Sequence, residues 1–211
     1  MTATDPQLLW YAARAAGLVA WALSATTVLW GLALSTRALG RRPNPAWLAD
    51  LHQFLGGLTV AFTVVHIAAL ALDDYVQFSP TDLLVPLAAD WRPLAVAWGI
   101  VGLYLLLAIE ATSLLRRRLP KKLWRSVHHA SFALFAVATI HLLTAGTDAT
   151  QPWLRWTVLL TVTATVYLSA VRILTPRRTR RSRPPKPTSS PAHAVQAAHG
   201  QGVSDAPLSS R

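Results

Sequence analysis

Four histidines punctuate two long apolar stretches. The segment LHQFLGGLTVAFTVVH carries His52 near its start and His66 at its end, and VHHASFALFAVATIH carries His128 near its start and His141 at its end. A neutral imidazole offers one ring nitrogen to a metal while the other holds a hydrogen bond. One such histidine reads as a hydrogen-bonded packing residue, but four at regular spacing point to ligation. The rest of the sequence narrows the chemistry. It has no cysteine, and its one methionine is Met1. That excludes iron–sulfur clusters, thiol catalysis, disulfides and thioether-linked c-type haem. Any metal or haem held inside this protein must lean on histidine, carboxylate or backbone.

The elements that position these side chains follow from composition. Of 211 residues, 53% are hydrophobic and only 14% charged, against about 25% charged in a soluble domain. Five stretches meet the need of a membrane-crossing helix for about 20 apolar residues: 8–35, 47–72, 94–115, 123–143 and 153–174. The expectation is an all-α integral membrane bundle of about five transmembrane helices, multi-pass in a cell inner or plasma membrane, with the lipid bilayer as its first partner. The first stretch is too long, and its MTATDPQ start too uncharged, for a cleaved signal peptide. The net charge of +11 does not imply nucleic acid, because the basic residues sit in short clusters at span ends and in the tail.

Charge alternates between connections. Arg37, Arg41 and Arg42 follow the first span, RRRLPKKLWR the third and PRRTRRSR the fifth. The second connection carries Asp73, Asp74, Asp82 and Asp90 against Arg92, and the fourth, AGTDATQPW, is nearly neutral. Basic connections face the cytoplasm, which predicts N-out, C-in. Within FSPTDLLVPLAADW, Ser79, Pro80 and Asp82 predict the start of a short outer-surface helix that Pro86 limits. Residues 1–175 read as the membrane domain. Residues 176–211, rich in Pro, Ser and Arg, read as a disordered basic cytoplasmic tail in which His193 and His199 are idle.

On this topology the second and fourth spans run parallel. The step from His52 to His66 rises about 21 Å and that from His128 to His141 about 19.5 Å, giving two histidine pairs at matched depths. A structural zinc site gathers about four ligands around one ion. Two levels of two imidazoles suit two six-coordinate haems instead. The phase is imperfect: a 14-residue step returns within about 40° of the same helix face, but the 13-residue step ends about 140° away, and the 12-residue step from His129 about 120° away. A tightened turn, or His128 in a frayed first turn, would repair it.

The pattern H-x13-H in one span and HH-x11-H in a later parallel span resembles the ferric reductase-like transmembrane family, which includes NADPH oxidases, ferric reductases and the haem-binding subunit of the bacterial methionine sulfoxide reductase system. LWRSVHHASF and TSLLRRRLPKK are similar to its small stand-alone bacterial members. The likeness covers residues 13–174. It implies two b-type haems, the inner held by His52 and His128 and the outer by His66 and His141. It also implies electron transfer from a cytoplasmic or membrane donor to an outer-face acceptor, as a subunit of an oxidoreductase. The family core commonly has six spans, against five here. No Gly-rich dinucleotide loop is present. The expected donor is therefore a separate reductase or a quinone, with any flavin or quinone supplied by that partner. The expected acceptor is ferric ion, a partner protein or oxygen.

Haem propionates need cationic neighbours; Arg14 is the outer candidate, Arg125 and Lys122 the inner ones, with snorkelling to headgroups as the competing role. His129 reads as headgroup-facing, and Glu110 as a structural acid or a proton relay. Two rival functions use the same histidines: a quinone-linked cytochrome b subunit, and a haem-free membrane scaffold or metal carrier.

Overall fold

The computed structural model describes residues 6–36, 45–73 and 77–174. These form α1 (Pro6–Thr36), α2 (Pro45–Ala71), α3 (Pro80–Leu84), α4 (Pro93–Leu114), α5 (Lys121–His129), α6 (Ser131–Ala145) and α7 (Pro152–Leu174), with no strand among the described residues. Five of the seven helices begin at a proline. Its missing N–H costs nothing in a first turn, where that donor has no intrahelical partner, and its ring presets a helical φ. Five segments are long and apolar enough to cross a membrane: Gln7–Ser35, Ala46–Ala71, Pro93–Leu114, Lys121–Ala145 and Pro152–Leu174. The chain is thus an all-α, multi-pass membrane protein, with span ends close to those expected. Arg37, Arg41, Arg42, Asp74, the tail 176–211 and its His193 and His199 lie outside the described residues.

The fourth span differs from a single rod. It is α5 followed by α6, broken at Ala130, whose N–H bonds the Val127 carbonyl three residues back at 2.9 Å. Such a 3₁₀-type closure winds the chain faster than an α-turn. His128 therefore lies in the last turn of one helix and His141 on the next, so the phase of a single helix does not set their relative direction. The short surface helix α3 forms as its residues dictate: Asp82 N–H donates to Ser79 Oγ at 3.3 Å, and Ser79 N–H donates back to Asp82 Oδ2 at 2.9 Å. This reciprocal cap satisfies donors that two helical turns alone leave free.

α1 is the axis of the bundle, packing on α2, α6 and α7. One face carries Trp21, Ala25, Val28 and Leu32 into a core with Phe135 and Leu142 of α6 and Leu154 and Val158 of α7. The face toward α2 is lined by small residues. Gly17 abuts His66 and Gly31 abuts His52, so the two helices run antiparallel and their contact recurs after 14 residues on each. Two heptads is the repeat of a left-handed helix pair, and this underwinding removes the 40° mismatch of ideal straight helices. Midway, Ser24 and Thr59 are both buried, at levels this register matches. α4 and α6 are likewise antiparallel: Gly99 abuts His141, Gly102 faces Val137 and Leu134, and Leu106 shares a core with Leu134. Without a hydrophobic drive between helices in lipid, such close approach through small residues is the main source of packing energy.

Candidate functional site

The four histidines converge in two pairs. His52 of α2 faces His128 of α5, ring centres 5.9 Å apart and planes crossed at 72°. His66 of α2 faces His141 of α6 at 6.4 Å and 78°. An imidazole nitrogen binds a metal ion at about 2.0–2.1 Å, so two rings on opposite sides of one ion stand roughly 6 Å apart centre to centre. Both pairs have this separation. Among the described residues no group of three or more His, Cys, Asp or Glu side chains gathers around a common point. Each level thus offers two nitrogen donors and no third, a donor set that fits an ion whose remaining ligands come from a macrocycle.

The helices opposite the histidines are shaped to receive them. His66 Nδ1–H donates to the Ala13 carbonyl at 2.7 Å, and His141 Nδ1–H donates to the Ala95 carbonyl at 2.7 Å. In each case the carbonyl lies four residues before a glycine that meets the same ring. A β-carbon on Gly17 would stand 2.9 Å from His66 Nδ1, and one on Gly99 would stand 2.7 Å from His141 Cε1. Carbon–carbon contacts want about 3.5–4.0 Å, so a methyl group cannot share that space with the ring as placed. Committing Nδ1–H to a carbonyl fixes the tautomer and leaves Nε2 as the lone-pair donor. α1 repeats the arrangement at the other level, where a β-carbon on Gly31 would stand 3.2 Å from His52 Cε1. There the Thr27 backbone lies beside the ring, but no hydrogen bond of ordinary geometry reaches His52 Nδ1, which is buried without a partner, as is His128 Nδ1. Trp124, one turn before His128, stacks on its ring at 5.2 Å. The cradles read ARAAG, TVLWG and AVAWG. They are instances of small-xxx-small spacing, a signal present in the sequence but recognisable only once each is seen to face a histidine.

The family model for the ferric reductase like transmembrane component matches residues 15–139. The chain belongs to the ferric reductase-like transmembrane family. No curated protein and no solved structure matches it. The ferric reductase-like match covers His52, His66 and His128 and stops two residues before His141, which the fold nevertheless brings to His66. Membership in this family points in general terms to electron transfer across a membrane.

Around the His66–His141 level the ferric reductase-like bundle encloses a cavity of about 250 Å³, lined among others by Trp10, Arg14, Trp21, Ser24, Thr59 and Asp148. Arg14 reaches its rim from α1. Its Nε donates to Asp148 Oδ2 at 2.6 Å, and its Nη2 to Asp148 Oδ1. Asp148 is buried, and nothing in the nearly neutral connection AGTDATQPW marks it as inward-facing. Trp21, four residues along α1 from Gly17, donates its indole N–H to Thr139 Oγ1 at 3.0 Å inside the core. At the other end Arg125 is exposed and, with Lys121, Lys122, Ser126 and His129, lines one basic surface pocket on α5. Glu110 of α4 lies against Gly56, one turn beyond His52 on α2.

Proposed function

We propose that this chain conducts electrons across the membrane through two b-type haems, one held by His52 and His128 and the other by His66 and His141. The observation that carries this reading is the doubled pair: at two levels of one bundle, two imidazole rings stand 5.9 and 6.4 Å apart centre to centre, the span of two ligands on opposite sides of one ion, with no third protein donor among the described residues. Bound there, haem would supply one-electron chemistry at low-spin iron. The protein's part is positional. α2 presents both His52 and His66 on one seam, α5 and α6 present His128 and His141 on the two sides of the Ala130 break, and the Ala13 and Ala95 carbonyls hold two of the rings in the ligating tautomer. Arg14, whose guanidinium is shared with Asp148, would meet acidic groups of the cofactor at the cavity rim, and Arg125 would do so from α5 by turning inward.

Loop charge sets the direction. The α4–α5 connection and α5 carry Arg116, Arg117, Arg118, Lys121, Lys122 and Arg125, a cluster that supports a cytoplasmic position for the His52–His128 level, with the N-terminus outside and the C-terminus inside. Electrons enter at that level from a separate reductase or a quinone and leave at the His66–His141 level to an outer-face acceptor, a protein or ferric ion. The test is a pyridine haemochrome assay on the purified chain, with visible spectra before and after dithionite. About two haems per chain, both low-spin, is the expected result. A colourless protein would return the histidines to a scaffold or metal-carrier role.

A further inference from the structure

The two histidine levels are built differently, and the difference has a redox consequence. At one level both rings donate Nδ1–H to a backbone carbonyl at 2.7 Å, to Ala13 from His66 and to Ala95 from His141. At the other level His128 Nδ1 has no partner, and His52 Nδ1 has only the Thr27 backbone beside it, outside ordinary hydrogen-bond geometry. A hydrogen bond donated from the far side of an imidazole makes its ligating nitrogen more basic. A more basic ligand favours the oxidised metal over the reduced one and lowers the reduction potential, hydrogen bonding around the ligands being one of the protein's main levers on that quantity. We infer that the outer site, His66 with His141, holds the more negative potential of the two, and that Gly17 and Gly99 are the positioning residues that set it by letting the Ala13 and Ala95 carbonyls reach the rings.

Charge acts in the same direction. Arg172 of α7 lies within electrostatic reach of His128, and Lys121, Lys122 and Arg125 stand on α5 itself. They outnumber Asp50 of α2 and Glu110 of α4, and excess positive charge favours the reduced form. At the outer level Arg14 is offset by Asp148. An electron shared between the levels then rests at the inner one, and outward passage needs the pull of the acceptor or of the membrane potential. This inference rests on the two-haem reading above.

The experiment is optical and EPR-monitored redox potentiometry on the full-length haem-loaded chain in lipid vesicles. A dysprosium chelate confined to the Asp148 side of the bilayer identifies the outer centre by its faster relaxation. The expected result is two waves, with the relaxed centre at the lower potential. Gly99→Ala, which pushes the His141 ring off the Ala95 carbonyl, should move that lower wave upward and leave the other in place. Gly31→Ala, which meets the His52 ring of the other level, should leave the lower wave in place. Gly17→Ala is read like Gly99→Ala should the latter fail to fold, and the chelate measurement needs no variant at all. A relaxed centre at equal or higher potential, or a Gly99→Ala shift confined to the higher wave, overturns the inference while leaving two haems in place. Fewer than two haems per chain overturns the proposed function and the inference together.

Discussion

Removing Arg14 should harm the protein more than removing Asp148, although the two form a single ion pair. The side chain of Asp148 is 6% exposed and that of Arg14 37%. Asp148→Ala leaves a cation that can extend its long stem and turn its head toward water or lipid headgroups, at a cost below about 1 kcal/mol. Arg14→Ala leaves a carboxylate in the α6–α7 connection, shielded from solvent and without its bidentate donor. Breaking a fully buried pair costs about 3–5 kcal/mol; because one partner here is more than a third exposed, about 2 kcal/mol is the reasonable figure. That corresponds to roughly a thirty-fold change in an equilibrium constant. Arg14→Ala/Asp148→Ala, which removes the stranded charge, should recover most of the loss. The assay is the fraction remaining monodisperse after graded heating in detergent, read by size-exclusion chromatography, for wild type, both single variants and the double. Equal losses in the two single variants, or a double variant as unstable as Arg14→Ala, would refute the argument that the buried acid dictates the cost.

Other expectations follow from the same geometry. His66→Ala and His141→Ala should abolish the same spectral component, and His52→Ala and His128→Ala the other, whereas His129→Ala should keep both; difference spectra of the five variants decide, and a crossed pattern would contradict the observed ring pairs. The oxidised protein should give strongly anisotropic low-spin EPR signals, because the paired imidazole planes cross at 72° and 78°; a spectrum of the kind parallel planes produce would mean that the rings turn on binding. A reporter fused after Leu174 should be active on the cytoplasmic side, and activity on the outer side would exchange the inner and outer labels of the two levels.

Much of this architecture is legible in the sequence because its signals are local. Twenty-odd apolar residues between prolines or charges define a span whatever it packs against, and Ser79, Pro80 and Asp82 specify their own short helix. The depth pairing of the histidines is arithmetic on helical rise. What escapes depends on neighbours. The break at Ala130 lies between His129 and Ser131 with no proline or glycine to announce it. The Ala13–Gly17 and Ala95–Gly99 cradles look like ordinary small residues of membrane helices until a ring is seen to lie against them. Asp148 is one acid in a short connection, and only the tertiary fold shows that Arg14, 134 residues earlier, closes on it.

The seam between α1 and α2 limits how such a chain can change length. Gly17 to Gly31 and His52 to His66 are equal intervals on antiparallel helices, and each glycine is the recess for the histidine across from it. Inserting one residue between Thr59 and Thr63 would swing His66 about 100° off the seam and drive it from its recess. Inserting a whole heptad would keep its direction but carry it about 10.5 Å along the axis, past Gly17 and away from His141. Only a matching insertion in α1, with a third in the span that carries His128 and His141, would restore both recesses. The spacing between the two histidine levels is thus repeated along α1, α2 and the α5–α6 span, and a change to one copy alone separates the pairs.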